Sequence, residues 1–132
     1  MSRTSVIVDA VRSPMGVKGG KLIGIRADDL AAQVVIALLE RQPSLPKEEI
    51  EDVVLGMAMH EGEQTGNLAR LAVMLSKLPV TTAAASINRF CSSGVQAIAY
   101  AATQIASGQT EVAMAGGVES ISMNARQEAA KY

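Results

Sequence analysis

At 132 residues the chain has the length of a single domain, enough for one core. Apolar residues make up 48% but include only one Phe, two Tyr and no Trp. The core must therefore be built from Ala, Val, Ile, Leu and Met, which suits helices packed closely on a sheet better than a sandwich or a carbohydrate groove. A net charge of −1 without blocks of like charge gives no reason to expect nucleic acid or an anionic membrane as partner. The single cysteine excludes an internal disulfide and leaves a Cys/His metal site without ligands.

In chain order, Thr4 to Val11 is β-branched and reads as a strand ended by Arg12-Ser13-Pro14. The opening stretch is too short, and too soon interrupted by Asp9, for a signal peptide or membrane span, so a cytoplasmic location is expected. Gly16, Gly19, Gly20 and Gly24 mark an irregular loop. Its spacing fits neither a Walker nor a dinucleotide fingerprint, and it reads as a surface loop. Asp28 is placed to cap a helix reaching about Arg41, with Leu30, Ala31, Val34, Val35, Leu38 and Leu39 on one face. Pro46 stands in the first turn of a further helical piece. Asp52 to Met59 is the next strand and leads into a polar loop holding His60, the only histidine. His60 lacks partners at metal-ligand or base spacing and reads as a solvated loop residue.

Asn67 is expected to cap a helix over Leu68 to Lys77, on which Arg70 is open to either a structural ion pair or a partner contact. Thr81 to Phe90 is the third strand and Glu111 to Ala115 the fourth, closed by Gly116-Gly117 at a tight turn where backbones approach closely. The tail, Val118 to Tyr132, shows no clear core period. Strands thus alternate with helices. That order predicts an α/β fold with a mainly parallel sheet, right-handed crossovers and helices on both faces.

Cys91 falls at the carboxyl end of the third strand, where such sheets gather functional loops. Ser93-Gly94-Val95-Gln96 reads as a capping box opening a helix from Val95 to Ser107, stopped by Gly108. Free backbone N–H groups and the positive helix end beside the sulfur would favour thiolate over thiol. No side chain in that helix is charged and apolar residues occur on all sides, so a helix buried all round is expected. A lone cysteine is otherwise a small buried hydrophobe. Position alone leaves the two roles equally open.

Three motifs, in order, carry a resemblance that extends over essentially the whole chain. They are Val8-Asp9-Ala10-Val11-Arg12-Ser13-Pro14, Asn88-Arg89-Phe90-Cys91-Ser92-Ser93-Gly94 and Ala115-Gly116-Gly117-Val118-Glu119-Ser120-Ile121-Ser122, with Gly66-Asn67-Leu68-Ala69-Arg70 between the first two. Together they resemble the amino-terminal part of the thiolases, the acetyl-CoA acetyltransferases and 3-ketoacyl-CoA thiolases. The resemblance implies that Cys91 is the nucleophile that accepts an acyl group from acyl-CoA, its backbone N–H contributing to an oxyanion hole. A second acetyl-CoA then condenses with the acyl group, or in reverse free CoA cleaves a 3-ketoacyl-CoA. Coenzyme A and acetyl-CoA are implied as substrates, with no permanently bound cofactor and no metal. A homodimer or homotetramer is implied for the intact enzyme.

The family's histidine, second cysteine and water-positioning asparagine lie in its later half, and His60 occurs in no matching motif. Residues 1–132 are accordingly expected to be one incomplete amino-terminal domain, with little or no condensation or thiolysis activity by itself. Such a half would uncover apolar faces and self-associate. Within the family, Phe-Cys-Ser-Ser-Gly with Val-Glu-Ser-Ile-Ser looks more like the degradative 3-ketoacyl thiolases. Two alternatives stand beside this reading. One is a ketoacyl-synthase-type condensing enzyme, which would use acyl-carrier-protein substrates. The other is a non-catalytic module that assembles with a partner chain.

Overall fold

The computed structural model describes residues 3–123. Three helices, α1 (Ala27–Arg41), α2 (Leu68–Leu75) and α3 (Ser93–Ser107), accompany three strands, β1 (Asp52–Gly56), β2 (Ala83–Ile87) and β3 (Ala113–Gly117). The strands form one parallel sheet in the order β2-β1-β3. The register aligns Gly56 with both Ile87 and Gly117, so all three strands end level.

The chain leaves β1 through α2 toward β2, then returns across β1 through α3 to β3. Two right-handed crossovers running in opposite directions must lie on opposite faces of a sheet. The side chains agree. Val53, Leu55 and Met57 join Leu68, Ala69, Ala72 and Val73 of α2 and Ala27, Ala31 and Val35 of α1 in one buried cluster. The alternate residue Gly56 turns to the other face, where α3 packs on β1 and β3. Fully burying each larger side chain, such as Leu68 or Val73, contributes about 1.5–3 kcal/mol.

Helix α1 begins differently from expectation. Its N-cap is Arg26, without a side-chain capping bond, and Asp28 lies inside the first turn. The Asp28 carboxylate accepts from the Asp29 backbone N–H at 3.0 Å and from the Arg26 guanidinium at 2.8 and 3.0 Å. Burial pushes the Asp28 carboxyl up, but these bonds outweigh it and hold it below its ordinary value. The buried stripe is also rotated from the expected face. It runs through Ala27, Ala31, Ala32 and Val35, and leaves Leu30, Val34 and Leu38 half-buried. Asn67 does cap α2, its side chain accepting from the Arg70 N–H at 3.2 Å. The Arg70 guanidinium donates to the carbonyls of Thr82 and Val80, so its role is a structural tie between α2 and the approach to β2.

Two further expectations are corrected. Residues 4–11 run without strand pairing, leaving three strands instead of four among the described residues. Val6, Ile7 and Val8 are 72–80% exposed. β-branching makes the backbone extended, but a strand also needs a ladder partner, and neither sheet edge takes this segment. Helix α3 is not enclosed: only Ser93, Ala97 and Ala101 are buried, while Val95 is 73% exposed and Tyr100 47%. Its i, i+4, i+8 row sits on the sheet, and none of the described elements covers the opposite side. Gly116 and Gly117 belong to β3 itself, where a side chain on Gly117 would come within 2.9 Å of the Gly56 carbonyl oxygen. Neither sits in a tight turn, and close backbone approach applies to Gly117 alone, since a β-carbon on Gly116 would meet only the Leu55 side chain at 3.6 Å. The tail from Asn124 onward lies outside the described residues. Among those residues, no helix is long and apolar enough to cross a membrane.

Candidate active site at the carboxyl end of the sheet

The level strand ends open into a cleft of about 420 Å³, lined by Met57, Met59, Cys91, Gly94, Val118 and Ile121 among others. Each strand contributes one wall. Cys91 sits in the short passage from β2 to α3 and is exposed. The thiol is reachable from solvent at the mouth of the cleft, so Cys91 is not buried among the described residues.

The passage is a tight turn held mainly by side chains. Phe90 adopts a left-handed backbone conformation, φ 51°, which costs a non-glycine residue about 1–2 kcal/mol. That conformation persists because its surroundings over-determine it. The Asn88 Oδ1 accepts from the Phe90 N–H at 2.7 Å. The buried Ser93 hydroxyl donates to the Phe90 carbonyl at 2.6 Å and accepts from the Arg89 N–H at 2.8 Å. Ser92 Oγ donates to the Arg89 carbonyl at 2.8 Å.

These bonds overturn the expected capping box. The helix N-cap is Ser92, with no side-chain cap, and both serine hydroxyls point back into the turn. Gln96 bonds the Arg89 guanidinium instead of reaching back to the backbone. The hydroxyls are consumed in shaping the turn that presents Cys91. As a result the backbone N–H groups of Cys91, Gly94 and Val95 have no acceptor among the described residues. Donors of this kind, beside a sulfur and at a helix start, can bind an oxyanion.

The opposite wall is held by Gln64 and Glu119, neither of which was expected to have a role. Gln64 is fully buried; its amide N–H groups donate to the Met59 carbonyl and to Glu119 Oε1, and its oxygen accepts from the Ser120 N–H. Glu119 Oε2 accepts from the Ala58 N–H at 2.7 Å. The clue available in the sequence was the Gly-Gly-Val-Glu-Ser motif, which places an acidic residue just beyond a strand end. His60 is half-buried and its ring nitrogen lies 3.1 Å from the Met57 carbonyl, so it is not the freely solvated residue expected. Among the described residues, no group of His, Cys, Asp and Glu could hold a metal ion.

The family model described as "Thiolase, N-terminal domain" matches residues 5–132. A beta-ketoadipyl-CoA thiolase of Pseudomonas knackmussii is 48% identical over 122 residues, covering 92% of this chain and 30% of the relative. The 3-oxoadipyl-CoA/3-oxo-5,6-dehydrosuberyl-CoA thiolase of Escherichia coli K12 is 46% identical, covering 91% of this chain and again 30% of the relative. The crystal structure of the Bacillus anthracis acetyl-CoA acetyltransferase superposes with a TM-score of 0.84 at 38% identity, over 92% of this chain and 30% of that one. The chain therefore spans about a third of the length of these relatives.

Proposed function

The chain belongs to the thiolase family, and from that premise we propose that it carries the acyl-accepting half of an acyl-CoA acyltransferase, with Cys91 as nucleophile. The Cys91 sulfur attacks the carbonyl carbon of an acyl-CoA. A carbon–sulfur bond forms to the protein, the bond to the CoA sulfur breaks, and the proton lost from the Cys91 thiol ends on CoA. The tetrahedral oxyanion formed on the way would be met by the unpartnered N–H of Cys91.

The observation that carries the reading is the exposed thiol at the mouth of a cleft built from all three strand ends. The substrates proposed are 3-ketoacyl-CoA thioesters, the class named for the beta-ketoadipyl-CoA and 3-ketoacyl-CoA thiolases among the relatives, with acetyl-CoA as acetyl donor in the condensing direction. A dimeric or tetrameric assembly of the intact enzyme and a cytoplasmic location belong to the same proposal. The test is to incubate the chain with acetyl-CoA, quench in acid and map acetylation by peptide mass spectrometry. One acetyl group on Cys91, absent in Cys91→Ser, is the expected result. An unmodified Cys91 that iodoacetamide alkylates readily would overturn the proposal.

A further inference from the structure

The backbone of one residue, Ala58, links all three walls of the cleft. The N–H of Ala58, just past β1, donates to Glu119 Oε2 from the loop after β3, and the carbonyl of Ala58 accepts from Asn88 Nδ2, after β2, at 2.9 Å. The same Asn88 side chain uses its oxygen to hold the left-handed Phe90, immediately before Cys91. A continuous hydrogen-bonded path thus runs from Gln64 and Glu119 through the Ala58 backbone to Asn88 and the cysteine turn. Each side chain in the path, Gln64, Glu119 and Asn88, is locked by a second partner, so none can rotate without releasing another group.

We propose that Asn88 and Glu119 are positioning residues, which set the Cys91 turn against the opposite wall of the cleft by holding the two peptide groups that flank the Ala58 α-carbon. Neither is assigned any contact with substrate; they act through the backbone of Ala58 and Phe90. The inference rests on Cys91 being the acyl acceptor only for its consequence in catalysis. The mechanical coupling is independent of it. Glu119 makes no hydrogen bond to residues 88–93 among the described residues, yet its loss should be felt there.

Two variants of the full chain test this. In Glu119→Ala, amide hydrogen exchange at Phe90 should quicken by about tenfold, the scale of one lost hydrogen bond, while the amides of α2 keep their protection. Loosening confined to Ala58, Gln64 and Ser120, with Phe90 exchanging at the parent's rate, would sink the coupling. Asn88→Asp keeps the acceptor for Phe90 but turns the donor facing the Ala58 carbonyl into a second acceptor. Acetylation of Cys91 by acetyl-CoA, which needs orientation, should slow by about tenfold or more, while alkylation by iodoacetamide, which does not, keeps the parent's rate. Both reactions at the parent's rate in this variant would refute positioning. Should the parent chain itself take no acetyl group, the proposed function falls, and the exchange at Phe90 still decides the inference.

Discussion

Gly56 of β1 faces the carbonyl group of Ser93 with no room for a side chain between them. A β-carbon on Gly56 would overlap the Ser93 carbonyl carbon and oxygen and lie 2.7 Å from the Gly94 nitrogen. The first turn of α3 is thereby seated on the strand end, and Cys91, two residues earlier, is held at the mouth of the cleft. Backbone atoms of a helix cannot yield as the tip of a flexible side chain can.

Gly56→Ala is accordingly expected to destabilise the chain by about 3 kcal/mol, the upper part of the ordinary overpacking range, because the obstacle is main chain. Urea unfolding read by circular dichroism measures this. A companion substitution, Gly94→Ala, meets nothing within 4 Å and should leave the midpoint much closer to the parent's. Equal effects at the two positions would show that helix seating is not what Gly56 provides.

Ser93→Ala leaves the Arg89 N–H without its acceptor and takes a donor from the Phe90 carbonyl. Ser93 is only 2% exposed, so water does not readily replace the hydroxyl, and a loss of about 1–3 kcal/mol is expected. Hydrogen exchange distinguishes this from a capping role. The Arg89 amide should lose protection, whereas the Gln96 amide, bonded to the Ser92 carbonyl, should keep it.

Asp9 ties the extended opening segment to the end of α1. Its carboxylate accepts from the Arg41 guanidinium twice at 2.9 Å and from the Gln42 amide at 2.8 Å. The Arg41 hydrogen bonds, then those of Gln42 and the Ala10 N–H, hold its carboxyl far below the ordinary value of 3.8. The folded state thus favours the ionised form, and its contribution is fully present above that ordinary value. It is lost progressively as pH falls from there through the depressed folded value. Limited proteolysis within residues 3–12 should stay slow from neutral pH down to the ordinary carboxylate range. Asp9→Asn should make that segment susceptible already at neutral pH. Equal cleavage of parent and variant at pH 7 would show that the ion pair does not anchor it.

Local rules were sufficient for much of the architecture. Alternation of β-branched runs with helical periods implied a parallel α/β sheet, and Asn67 before an apolar period implied a capped α2. The solitary Cys91 between a strand and an uncharged helix marked the place of the cleft. These signals are short in range, reaching one turn or one strand. The same reach explains the misreadings. Residues 4–11 have strand chemistry but no ladder partner among the described residues, and α3 has apolar residues all round but only one face covered.

What the amino-acid order determined by itself was therefore the kind of the three helices and three strands that form, and the position of the one thiol. What only the tertiary structure decided was which groups meet: that Ser93 turns back to Phe90 instead of capping α3, and that Glu119 and Asn88, each just past another strand, close on the N–H and the carbonyl of the same residue, Ala58. Hydrogen bonds between residues 30 and 61 positions apart leave no periodic trace along a chain. They exist only because three parallel strands end level, and that alignment belongs to the sheet as a whole.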